Sequence, residues 1–179
     1  MNSIKYELPD PQIQETIRNL GLQDESKRLR ARRSLEAAGK KAILILIEIL
    51  ENGNWMARKE AAIALATIKE PSSAAALVAA LKDQDHDVRW MAMKALIALD
   101  QNCLEPLLLA LTRDFGSVHL REGARHVLKT LKHDSCLESQ LLDVLKALES
   151  LEPASTVPWA AEAAWEELYG PKKKVKQSK

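Results

Sequence analysis

A chain of 179 residues is long enough to close one hydrophobic core, and an aromatic content of 4% requires that core to be aliphatic. Scarce glycine and proline beside abundant alanine and leucine favour helix. No run of about eighteen apolar residues occurs, the opening MNSIKYELPD lacks a basic-then-apolar leader, and two cysteines make no disulfide framework. These features lead us to expect a cytoplasmic protein that engages no membrane and works as a monomer.

The net charge of +1 conceals an asymmetry. Residues 1–41 carry nine Lys and Arg against six Asp and Glu, and residues 171–179 carry five lysines and no acid. Residues 42–170 therefore hold twelve basic and nineteen acidic residues. An acidic middle between two basic ends can steer a partner, but it does not specify a fold.

Taken in chain order, DPQIQETIRNLGL (10–22) predicts a first helix, with Pro11 near its start and Gly21 just past its end. A repeat follows. Arg28, Arg58, Arg89 and Arg121 stand 30, 31 and 32 residues apart. Four residues before them come Asp24, Asn54, Asp85 and Ser117, each able to cap a helix by accepting from an unpaired backbone N–H. Three after them come Ala31, Ala61, Ala92 and Ala124, and seven after them Leu35, Leu65, Leu96 and Leu128. Positions three, six, seven and ten form one helical stripe, so helices are predicted near 24–38, 54–69, 85–100 and 117–132.

Shorter apolar segments alternate with these helices: AILILIEIL, AAALVAAL, LEPLLLAL and LESQLLDVL. VPWAAEAAWEELYG predicts a capping helix over 157–169 that starts at Pro158, and 171–179 reads as a flexible basic tail. Residues 1–170 thus form one unit of helix pairs, each about thirty-one residues long. The expected fold class is all-α, an α-solenoid of about five stacked antiparallel helix pairs.

The layout LKDQDHDVRWMAMKALIAL resembles the HEAT-like repeat, in the short form found in phycobilin lyases, over roughly residues 24–147. The resemblance implies a solenoid whose arginine-bearing helices line the concave face. It also implies an alternative function as a lyase subunit or chromophore chaperone, although no bilin-binding residue of that family maps onto this chain.

Candidate sites were sought on the outward stripe, at positions one, four, five and eight after each arginine. In the first copy these are Leu29, Arg32, Arg33 and Glu36; in the second Lys59, Ala62, Ile63 and Ala66. The third has Trp90, Met93, Lys94 and Ile97, and the fourth Glu122, Arg125, His126 and Lys129. An apolar centre with a charged rim suits a binding groove. Trp90 is its anchor, because its register equivalents are Leu29, Lys59 and Glu122. Burial of the middle repeats on more sides would explain the same apolar centre, most simply at Ala62 and Ala66.

The leading expectation is a non-catalytic adaptor or scaffold that binds a protein segment, acidic in one variant of the reading. Its contacts would be Trp90, Met93, Lys94, Ile97, Lys59 and Ile63, with Arg32, Arg33, Arg125 and His126 at the rim. Arg28, Arg58, Arg89 and Arg121, with the four caps, are read as the structural repeat. The cluster KRLRARRSLEAAGKK (27–41) can be a solvated helix end, a surface for an acidic protein, or a nucleic-acid contact, though no aromatic side chains interleave it. Lys172, Lys173, Lys174 and Lys176 resemble a nuclear localisation signal, although a frayed, solubilising tail is the commoner explanation of such a run.

His119, His126 and His133 repeat every seven residues, but about 10 Å of helical rise separates neighbours, too far to share an ion. Cys103 and Cys136 occupy similar register positions and read as small buried hydrophobes. No nucleophile elbow, phosphate loop or metal motif is present, so no enzyme, metal or cofactor is expected.

Overall fold

The computed structural model describes residues 11–131 and 138–170, apart from the side chains of 11–13 and 138–140. Helix α1 spans Pro11–Leu20, and the arginine-bearing helices are α2 (Glu25–Ala38), α4 (Trp55–Ile68), α6 (His86–Leu99) and α8 (Val118–Leu131). Between them lie α3 (Ile43–Asn52), α5 (Ala74–Ala80) and α7 (Leu104–Arg113), each entered through a short 3-10 turn. Helices α9 (Glu138–Leu148) and α10 (Pro153–Tyr169) complete the described chain. Among the described residues there is no strand.

Two rows of helices make the solenoid. One row is α2, α4, α6 and α8, each packed on the next; the other runs through α3, α5 and α7. The rows are joined within pairs, α1 on α2, α3 on α4 and α5 on α6. Alanine at the third position after each arginine is buried in all four copies, as is leucine at the seventh. The small residue lets adjacent helices approach, and the leucine fills the space beside it.

The starts of the four row helices follow from their caps. Asp24 accepts from Lys27 N at 3.1 Å, Asn54 from Ala57 N at 3.0 Å, and Asp85 from Asp87 N and Val88 N at 2.9 and 3.1 Å. Ser117 Oγ accepts from Leu120 N at 3.3 Å. Asn54 also donates through Nδ2 to Gly21 O at 3.0 Å, which ties the second repeat to the end of α1.

The last helix differs from expectation in two ways. It begins at Pro153, and Pro158 lies inside it. Proline within a helix forfeits one backbone hydrogen bond, which is why Pro158 reads as a start from sequence. The start at Pro153 is held by its own side chains: Ser155 Oγ and Thr156 Oγ1 donate to Glu152 O, and Ser150 Oγ meets Thr156 Oγ1 at 2.9 Å. Moreover, α10 does not simply stack beyond α9; it packs against both α9 and α7. Residues 171–179, with the lysines of the tail, lie outside the described residues, as do His133 and Cys136.

The stretch His86–Arg113 is long and apolar enough, on average, to cross a membrane. It is interrupted by the 3-10 turn Asp100–Cys103, where Asp100 adopts φ 56°, and Leu96, Leu99, Leu104 and Leu107 from both sides of the break fill the core.

The core is aliphatic throughout. None of the described aromatic side chains is buried, whereas Leu65, Leu96, Leu107 and Leu128 are fully enclosed. Leu96→Ala is expected to cost about 2–5 kcal/mol by removing a side chain that neighbouring helices cannot collapse upon. Leu44→Ala, at a side chain 74% exposed, should stay within about 0.5 kcal/mol. Urea denaturation of both variants checks the contrast, and equal losses would contradict this packing.

Candidate functional site

The arginine column is built into the turns. Arg28 Nη1 donates to Leu22 O and Gln23 O, both at 2.7 Å. Arg58 Nη1 donates to Gly53 O at 2.8 Å, Arg89 Nη1 to Asp83 O and Gln84 O at 2.8 and 3.0 Å, and Arg121 Nη1 to Phe115 O. Each guanidinium therefore reaches back over its own N-terminal turn and satisfies carbonyls that end the preceding segment.

Two of the four also bond forward into the next repeat. Glu60, only 6% exposed, receives Arg28 Nε at 3.4 Å and Arg32 Nη1 at 2.7 Å. Asp83 receives Arg58 Nε and Nη2, both at 2.7 Å. The charge-assisted pair raises the Arg58 guanidinium above its ordinary value. Burial alone would raise the Asp83 carboxyl, but the Arg58 hydrogen bonds, the Asp85 N–H and the charges of Arg58 and Arg89 hold it below the usual carboxylate range.

These networks absorb part of the expected rim. Arg32 is held by Glu60 and lies 3.3 Å from Glu36, so its charge is neutralised within the fold instead of facing outward. Lys59 Nζ lies 3.7 Å from Asp87 and 5.1 Å from the centre of the Trp55 ring. Ala62 is fully buried, while Ile63 is half-buried. In the 27–41 cluster, Lys40 pairs with Glu70 at 2.9 Å and Arg30 bonds within its own helix, yet both stay exposed, as do Lys27, Arg33 and Lys41.

The α6–α8 face keeps its side chains available. Trp90 is 39% exposed, its ring centre 5.7 Å from that of His126 on α8, with the planes tilted by 47°. Lys94 Nζ, one turn along α6, lies 5.7 Å from the centre of the Trp90 ring. Met93 and Ile97 are partly buried against the core beside them. Arg125 and His126 are exposed on α8, with Arg125 at 3.8 Å from Glu149. Lys94 and His126 thus flank an indole that is partly open to solvent, with Met93 and Ile97 on the same face of α6.

Sequence reasoning missed three residues. Glu60 looks like any acid on a polar helix face, since its partners are 28 and 32 residues away. Trp55, 42% exposed at the first position of α4, and Trp159, 75% exposed on α10, fall outside the register of the stripe. Cys103 is enclosed and its thiol is pushed up to about 12 by burial, which suits a packing role. Burial, with the nearby Glu105 and Cys103, raises the Tyr169 hydroxyl.

Stacked helix pairs with capping, arginine, alanine and leucine columns define a helical-repeat solenoid. The family model for HEAT repeats matches residues 13–97 and again 43–129, and the chain belongs to this family. HEAT repeats generally mediate protein–protein interaction and act as non-enzymatic scaffolds. Comparison with curated proteins finds no match.

The Arg58–Asp83 pair makes a pH prediction. Because the Asp83 carboxyl is held below its unfolded value of about 3.9, it adds stability above that pH and loses it as pH falls through the folded value. Asp83→Asn should therefore be less stable than wild type at pH 7, with the gap closing as pH drops below about 4. Guanidinium denaturation at pH 7, 4 and 3 measures the gap. A gap that stays constant would show that Asp83 acts through packing alone.

Proposed function

We propose that the protein is a non-catalytic adaptor that binds a segment of a protein partner on the row formed by α2, α4, α6 and α8, with Trp90 as the anchor. One observation carries this reading: an indole in the middle of the row is left partly open, bracketed by His126 and Lys94, whereas the described core residues beneath it are aliphatic. Aromatic side chains concentrate binding energy where they meet a partner, because they bury large area at small entropic cost. Met93 and Ile97 extend the apolar strip, and Arg33, Lys94, Arg125 and His126 form its polar rim. In the repeats that this chain resembles, that row lines the inner surface of the superhelix.

Membership in a family of interaction repeats supports the same class of function. Glu60 takes Arg28 and Arg32 into the fold, and no aromatic side chains interleave the remaining cations of the first repeat for base stacking, which favours a protein partner over nucleic acid.

Trp90→Ala should weaken capture of the partner from source lysate by at least about tenfold, as expected for loss of an aromatic anchor, while far-ultraviolet circular dichroism stays unchanged. Quantitative mass spectrometry of eluates from both proteins reads the difference. Unchanged capture, or unfolding of the variant, would sink the assignment of Trp90 as anchor.

A further inference from the structure

We propose that the cleft between α6 and α8 seats a carboxylate from the bound segment, a Glu or Asp side chain of an acidic peptide. The proposal rests on the adaptor reading above and names the chemistry of its partner. The cleft has a volume of about 220 Å³. Arg89 and His86 line it from α6, and His119, Glu122, Arg125 and His126 from α8, above an apolar floor of Leu81 and Met93.

The chain supplies its own template for this site. Between α2 and α4, the arginine of one repeat is answered by a carboxylate two residues after the arginine of the next, as Arg28 is by Glu60. Between α4 and α6, the arginine is answered from the turn 25 residues on, as Arg58 is by Asp83. For Arg89 both answers are missing. The residue in the register of Glu60 is Gly123, and the residue in the register of Asp83 is Asp114, which pairs with Lys82 instead.

Gly123 does more than omit a charge. A Cβ there would lie 2.9 Å from Leu81 Cδ2, so its absence lets Leu81 and α8 meet at the cleft floor. Both hydrogen bonds from Arg89 leave through Nη1 to neutral carbonyls. The Asp83 carboxylate on its other side is engaged by Arg58 through two hydrogen bonds. Among the described residues, no carboxylate stands within ion-pair distance of Arg89.

Two acids border the site. Glu122 lies 3.9 Å from His119, and Glu149 lies 3.8 Å from Arg125. Both contacts are long and exposed, the kind that solvent screens and an incoming carboxylate can displace. An acidic side chain reaching Arg89 would leave its neighbours on the peptide beside Trp90, because His126 lines the cleft and also stacks on that indole.

The test uses the full chain and two fluorescein-labelled 16-residue peptides, one a repeat of Glu-Leu-Leu-Glu and the other with every Glu replaced by Gln. Fluorescence anisotropy is expected to give at least tenfold tighter binding of the acidic peptide. Arg125→Gln and Arg89→Gln should each bring the two affinities together, while Trp90→Ala weakens both peptides alike. Thermal melts accompany each variant, and Arg125→Gln, at an exposed position, carries the test if Arg89→Gln lowers the melt.

Equal binding of the two peptides, or binding of neither, overturns the proposal. So does a preference that survives Arg125→Gln, or one that falls as much in Lys27→Gln/Lys41→Gln, far along the chain from the cleft. If the preference vanishes with Arg125→Gln but Trp90→Ala changes nothing, the cleft stands and the Trp90 groove fails. If Trp90→Ala weakens both peptides with no acidic preference, the groove stands and the cleft fails.

Discussion

The stack depends on one guanidinium per repeat folding back over the turn that precedes its own helix. The carbonyls that it reaches end a helix or turn, where the intrahelical ladder supplies no donor. By bonding them, arginine fixes how the chain leaves one helix and enters the next, and so sets the angle on which the following pair is laid. Lysine would not serve as well. A single Nη1 of Arg28 or Arg89 meets two carbonyls, while Nε of Arg28, and Nε and Nη2 of Arg58, reach a carboxylate of the next repeat. That division of labour needs the fixed fork of a guanidinium.

The rest of the repeat follows from this bond. The cap four residues earlier must be short and polar, because the helix begins where the turn ends. Alanine three residues later faces the neighbouring row helix at its closest approach, and leucine a turn further on fills the gap that alanine leaves. These relations are local and recur in every copy, which is why helix starts, rows and core positions are legible in the sequence. The four caps, the alanines and the leucines needed only counting.

Features that depend on contacts between repeats were less legible. Glu60 lies 28 and 32 residues from the arginines that neutralise it, and its own helix offers no sign of its burial. Arg32, placed on the rim by register alone, is drawn inward by that same acid. Pro158 reads as a helix start because interior proline costs a backbone bond, yet the hydroxyls of Ser155 and Thr156 stabilise a turn that begins five residues earlier. Trp90 was legible for a different reason. Comparing it with Leu29, Lys59 and Glu122 marks it as an exception to its own column, and the structure leaves its ring 39% exposed beside His126.

Charge shows the same division between local and global information. Residues 42–170 carry an excess of acids, and composition alone would give this middle region a repulsive surface toward an acidic partner. Glu60, Asp83, Asp87 and Asp114, however, are paired with Arg28, Arg32, Arg58, Lys59 and Lys82. Three of these pairs set an acid against a base of the same region and leave its surplus unchanged; Glu60 and Glu70, answered by Arg28, Arg32 and Lys40 of the first repeat, draw it down. At the α6–α8 junction the chain places glycine in the register of the joining acid, and the arginine is left facing a cleft. Net charge averages over such junctions and hides them; the repeat register, read copy against copy, locates the α6–α8 junction as a place where the pairing lapses.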